Sequence, residues 1–150
     1  MKLLLTFIAG FIVQTFLYRR THFFINIDIM LILTLEVSLI RGSRKGEFFG
    51  FFAGLAEDIL FIGLLGEKAL IRTLGGYLAG KFRGRFNEGD FIFQFIITSL
   101  IYAASIYAGI LIRLIVGAPA TYPHSIILSA ALNGAAAYFV YHILRKIDAV

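Results

Sequence analysis

Apolar residues run along this chain in long blocks, separated by short clusters of charged residues, glycine and proline. A bilayer core takes about 20 predominantly apolar residues in helical form. Blocks at 3–18, 23–40, 47–65, 68–82, 91–116 and 125–144 fit that requirement, the fourth being short. Each is too long and too continuously apolar for a barrel strand, which alternates over about ten residues. The pattern predicts an all-α, polytopic transmembrane bundle of six helices, forming a single membrane domain over 1–150. The interruptions are RGSRKG after the second block, RGRFNEGD after the fourth and GAPATYPH after the fifth. They are rich in turn residues and leave no room for an extramembrane domain. The first block has the apolar centre of a signal peptide, but Phe16, Leu17, Tyr18, Arg19 and Arg20 offer no small-residue cleavage site, so a retained helix is expected.

Composition agrees with the pattern. The 150 residues are 59% hydrophobic and 15% charged, against about 25% charged in an average soluble domain. There is no cysteine, which excludes disulfides, thiolate metal sites and thiol nucleophiles. The net charge of +5 matters through its location. With the N-terminus inside, Lys2, Arg41, Arg44, Lys45, Lys81, Arg83, Arg85, Arg145 and Lys146 are cytoplasmic, most of the 14 basic residues. Both termini are then expected in the cytoplasm. Arg19 and Arg20 dissent. Contact with anionic lipid headgroups or an acidic soluble partner accounts for the basic face, and no nucleic acid is needed.

Ionisable residues inside membrane helices face the bundle interior or a watery cavity. Here they sort into three layers. Asp28, Arg72 and Arg113 lie near the outer face, as a candidate cavity or as snorkelling boundary residues. Glu36 and Glu47 lie near the inner face, beside Arg41, Arg44 and Lys81. Glu57, Asp58 and Asn133 lie in the middle, with no nearby cation on this map. Adjacent helical residues are about 100° apart, so Glu57 and Asp58 face different ways. Asp58 shares a face with Gly50 and Gly54, a small-residue groove of the kind that lets helix backbones approach. Gly76, Gly80 and Gly84 form a matching groove on the fourth helix. Antiparallel packing is expected to set Gly50 and Gly80 at similar depth, with Asp58 further up, where it meets Asn133. Glu57 is left to line a cavity or meet a partner.

Familiar catalytic patterns do not occur: no HExxH, no GxSxG, no P-loop. His22, His124 and His142 fall near segment ends and not on one level. No enzyme activity, metal or cofactor is expected. A transporter with broken helices would use Gly75 and Gly76 to interrupt the fourth segment.

GFFAGLAED at 50–58, then Gly66, Lys68, Ala69 and Leu70, then GGYLAGKF at 75–82, resembles the rod-shape-determining protein MreD family. That family carries a GFxxGxxxD run on its third helix, an LG-x-x-AL turn and a GYL-like fourth helix. Asn133–Gly134 and the closing Leu144-Arg145-Lys146 match in order, and Asp28 stands where the family's second helix begins, with Ile27 in place of its proline. The resemblance covers most of the chain. It implies a non-enzymatic inner-membrane scaffold of the bacterial cell-elongation and peptidoglycan-synthesis machinery, partnering the single-pass MreC, and through it MreB and the RodA–transpeptidase synthase. It also implies a fold similar to the substrate-binding S components of energy-coupling-factor vitamin transporters, which is the alternative function. The docking face of those proteins is degraded here to Ala9 with Val13, or Thr6 with Gly10. Gly50, Gly54, Asp58, Gly66, Gly76, Gly80, Asn133 and Gly134 are the expected packing and polar-core residues. Asp28, Glu57, Arg72 and Arg113 are the expected cavity or partner contacts.

Overall fold

A computed structural model describes residues 2–20, 26–60, 64–87, 89–119 and 125–149. These residues form six helices and no strand: α1 (Lys2–Arg20), α2 (Ile29–Arg41), α3 (Ser43–Leu60), α4 (Glu67–Lys81), α5 (Phe91–Val116) and α6 (Ile126–Ala149). The fifth segment matches its expected limits, whereas the second and third do not. RGSRKG is not a loop: α2 runs to Arg41, α3 starts at Ser43, and Gly42 alone makes the turn. Its φ of 92° is a left-handed conformation that glycine adopts without steric cost. At its other end α2 starts only at Ile29, because Asp28 ends the approach by capping the helix, its Oδ1 accepting from Leu31 N at 2.8 Å.

The six expected spans therefore differ in reach. At about 1.5 Å per residue, α5 and α6 exceed the roughly 30 Å of a hydrocarbon core, while α2 and α4 fall short of it. Among the described residues two helices are long and apolar enough to cross a membrane, over Phe91–Val116 and Ile126–Ile147, and α1 has a shorter apolar stretch over Leu5–Phe16.

α2 is the axis of the bundle. Every residue from Met30 to Leu39 is buried, and α2 touches each of the other helices. A helix apolar on all sides belongs in an interior. Met30, Leu33 and Val37 pack towards α3 and α6, and Leu31 and Leu35 towards α4 and α5. Consecutive helices are antiparallel. The closest pair is α3 and α4, where a side chain at Gly50 would come within 2.6 Å of the Arg72 carbonyl and one at Gly76 within 2.8 Å of the Gly46 carbonyl. A side chain at Gly54 would collide with the backbone of Lys68 and Ala69. α5 and α6 meet through Gly134, whose missing side chain would lie 2.7 Å from the Phe95 carbonyl, and through Ser99, whose hydroxyl donates to the Ala130 carbonyl at 2.9 Å.

The outside is apolar. Leu5, Ile8, Ile12 and Phe16 on α1, Phe48, Phe52 and Ile59 on α3, and Leu70, Leu74 and Leu78 on α4 are exposed, as are Ile96, Leu100, Leu111 and Leu114 on α5 and Ile127, Phe139 and Ile143 on α6. Meanwhile Glu36, Glu57, Asp58, Arg72, Gln94 and Asn133 are buried. A water-soluble domain rarely buries such charges or exposes such a belt.

The bundle has two unlike ends. The N-termini of α2 and α4 and the C-terminus of α5 meet at one, called here the Asp28 end. The turn at Gly42, the turn after Lys81 and the region of Arg145 meet at the other, where Arg83 lies against Gly42 and Arg145 near Gly89.

Candidate functional site

The Asp28 end gathers most of the polar residues singled out above, in pairings that differ from those expected. Asp58 does not meet Asn133. Its carboxylate accepts backbone N–H groups of Gly66 (2.9 Å), Lys68 (3.2 Å) and Ala69 (3.3 Å). A helix leaves its first N–H groups without internal partners, and its N-terminus carries about half a positive charge. Asp58, 3% exposed at the far end of α3, meets both demands of α4. The cap comes from the preceding helix because Gly66, at φ 93°, turns the chain back so that the α4 terminus faces Asp58. Gly66 is thus a turn residue, and a side chain there would meet no atom of the described residues.

Asn133 serves a different segment. Its Oδ1 accepts Asp28 N at 2.8 Å, and its Nδ2 donates to the carbonyls of Asn26 (2.8 Å) and Ser129 (2.7 Å). Gln14 Oε1 accepts Ile29 N at 2.8 Å, and the Tyr102 hydroxyl donates to the Asn26 carbonyl at 3.2 Å. The non-helical backbone leading into α2 is therefore held by α1, α5 and α6. Buried backbone groups need such partners.

The middle layer does have a cation. Arg72 Nη2 lies 2.7 Å from Asp28 Oδ1 and 2.8 Å from Glu57 Oε2. Arg72 is 2% exposed, so it does not snorkel, and Glu57 is fully buried, so it meets no foreign partner. Lys68 Nζ completes the row at 2.8 Å from the same Glu57 oxygen. Arg113 Nε sits on the Glu67 carboxylate at 2.9 and 3.0 Å, and its Nη1 donates to the Pro119 carbonyl at 3.1 Å. Asp28, Glu57 and Glu67 thus balance Lys68, Arg72 and Arg113. Desolvating such charges is costly, and mutual pairing offsets it.

The register of α3 and α4 also differs from the expected one. Gly50 lies opposite Arg72, and Gly80 opposite Ser43, so α4 sits about two turns from the register that would level Gly50 with Gly80. The Arg72 backbone thus lies about two turns from Glu57 along α3, and its long side chain, directed towards the N-terminus of α4, reaches Glu57 and Asp28. Gln14, Glu67, Tyr102 and Ser129 were not singled out, and Lys68 was named only within the family motif. Lys68 and Arg72, four apart on one helix face and soon after Glu57 in the sequence, were the signal that could have found the pairing. At the other end Glu36 is buried too, its Oε2 accepting from Gln94 Nε2 at 3.2 Å.

A cavity of about 130 Å³ lies between α1, α2, α4 and α5, lined by Gln14, Asp28, Lys68, Arg72, Tyr102, Ser105 and Arg113 among others. It brings together the three residues assigned to the outer layer. Small-molecule sites typically occupy about 300–1,000 Å³, so the cavity is a poor fit to a vitamin. α4 runs unbroken through Gly75 and Gly76, unlike the interrupted helix of a broken-helix transporter. Among the described residues no group of three or more His, Cys, Asp or Glu is placed to hold a metal ion.

A family model described as rod shape-determining protein MreD matches residues 1–147. No curated protein and no solved structure matches the chain.

Proposed function

The chain belongs to the rod shape-determining MreD family, and from that premise we propose that it is a non-enzymatic scaffold in the inner membrane of a rod-shaped bacterium. In this reading it serves the cell-elongation machinery that directs peptidoglycan synthesis. Its direct partner is MreC, and the larger complex includes MreB and the RodA–transpeptidase synthase.

The observation that supports this reading is where the charges go. Arg72, Glu57, Asp28 and Asp58 are spent on other helices of the same chain. What remains outward is an apolar belt on five helices and short connections. A protein built this way acts through its lipid-facing sides and its ends. The bundle is then multi-pass, with both termini in the cytoplasm, because Arg44, Lys45, Lys81, Arg83, Arg85 and Lys146 are exposed at one end. Short α2 and α4 are compatible with a membrane setting because non-helical backbone at that depth is tolerated where protein covers it. The segment before α2 is covered in this way by Gln14, Ser129 and Asn133.

The test is a gentle affinity purification of the tagged full chain from its native membrane, followed by mass spectrometry. Recovery of a single-pass protein with a periplasmic domain, together with elongation-synthase subunits, is the expected result. Recovery of paired ATPases with a coupling membrane subunit would replace the scaffold with a transporter component.

A further inference from the structure

The cavity at the Asp28 end is lined by three cations, Lys68, Arg72 and Arg113, and by the carboxylates of Asp28 and Glu67. Asp28 Oδ1 already accepts from Leu31 N and Arg72, Glu57 Oε2 accepts from Lys68 and Arg72, and both Glu67 oxygens accept from Arg113. Two buried atoms of this cluster have no hydrogen-bond partner, Glu57 Oε1 and Arg72 Nη1, and of these two residues it is Arg72 that lines the cavity. Arg72 makes both its ion pairs through Nη2, and its Nη1 is buried with no hydrogen-bond partner. A guanidinium carries N–H groups on all three nitrogens and no acceptor. A buried donor left unmade costs about 1–3 kcal/mol, so an arrangement that keeps one beside a cavity favours an occupant that accepts.

Two further observations point the same way. Arg113 and Lys68 line the same cavity from α5 and α4 with side chains 25% and 34% exposed, and Arg72, 2% exposed, lines it with them. The hydroxyl of Ser105 also lines the cavity but donates to its own helix, to the Ile101 carbonyl at 2.7 Å, so it ties no other helix to the site. The volume of about 130 Å³ suits one oxyanionic group rather than a cofactor-sized molecule.

We propose that this cavity is a binding site for a single small oxyanion, a phosphate or carboxylate group, held by Arg72 Nη1 with Lys68 and Arg113 at its mouth. The same chemistry can be supplied by a free anion or by the headgroup of an anionic phospholipid.

The test uses the purified full chain in neutral detergent, with radiolabelled inorganic phosphate in equilibrium dialysis at fixed ionic strength. In parallel, phospholipid retained from the native membrane is quantified by mass spectrometry. Arg72 variants are avoided because they disrupt the bundle. Ser105→Leu fills the cavity and removes no interhelical bond, and Arg113→Gln removes one cation at the mouth. Loss of a charge-assisted hydrogen bond predicts at least about tenfold weaker binding in Arg113→Gln, with a larger loss in Ser105→Leu. Saturable phosphate binding that both variants weaken supports the site with a free anion as its source. No phosphate binding, but a retained anionic phospholipid that Ser105→Leu releases from a folded protein, supports the site with a lipid headgroup as its source. Absence of both ligands, or binding unchanged in Ser105→Leu, shows that the cavity holds only water and overturns the proposal.

Discussion

At the Asp28 end of the bundle Arg72 lies 2% exposed between two carboxylates. At the opposite end Lys81, Arg83, Arg85 and Lys146 are exposed. One helix, α4, carries both kinds of cation, with Arg72 and Lys81 on the same short span. The difference is whether partners lie within bonding distance. Arg72 has Asp28 at the start of α2, which packs against α4, and Glu57 near the end of α3, the helix that precedes α4. Lys81 lies over the Tyr77 ring of its own helix, 4.6 Å from the centroid, at the surface, where a cation–π contact is worth about 0.5–1 kcal/mol. The same charge on one helix therefore holds the fold together at one end and decorates the surface at the other.

Breaking this contrast should produce a graded series, read as unfolding of the purified chain in detergent. Arg72→Leu should have the largest effect, about 3–5 kcal/mol, because it leaves Asp28 and Glu57 buried without their shared partner. A drop in folded yield by fluorescence-detected size exclusion would register it first. Gly54→Leu should follow, at about 1–3 kcal/mol or more, since the new side chain meets the backbone of Lys68 and Ala69 and pushes α3 from α4. Asp58→Leu should cost about 1–2 kcal/mol through loss of the α4 cap, and Asp58→Asn should restore part of it. Arg85→Gln, at the basic end, should change stability by no more than about 0.5 kcal/mol. An effect there as large as that of Arg72→Leu would erase the distinction between the two ends.

Much of this architecture was legible in the chain. Six apolar blocks gave six helices, and the small-residue spacing of Gly50, Gly54, Gly76 and Gly80 anticipated a close approach of α3 and α4. Two things were not legible. The first was register. Helical periodicity says which residues share a face, but not how far one helix slides along another, and here Gly50 lies opposite Arg72 and not Gly80. Arg72 was assigned to the boundary and Glu57 left without a cation because periodicity does not show how far a long side chain reaches along a neighbouring helix. The second was the short reach of α2. An apolar run of 18 residues reads as one span, yet Asp28 caps the helix from within it. The backbone ahead of that cap is stabilised by Gln14, Ser129 and Asn133, contacts more than ten residues distant in sequence that no local pattern encodes. The answer to why two carboxylates sit together near the end of α3 is that they serve one neighbour in two ways: Asp58 caps α4, and Glu57 pairs with its Lys68 and Arg72.

The central claim is that Arg72 and Glu57 act as one unit joining α3 to α4, and a double-mutant cycle tests it most directly. Unfolding free energies would be measured for the full chain, Arg72→Leu, Glu57→Leu and the double variant under identical detergent conditions. The account predicts that the double variant is more stable than Arg72→Leu alone, with a coupling of about 0.5–3 kcal/mol. Losses that simply add, with coupling indistinguishable from zero, would contradict it.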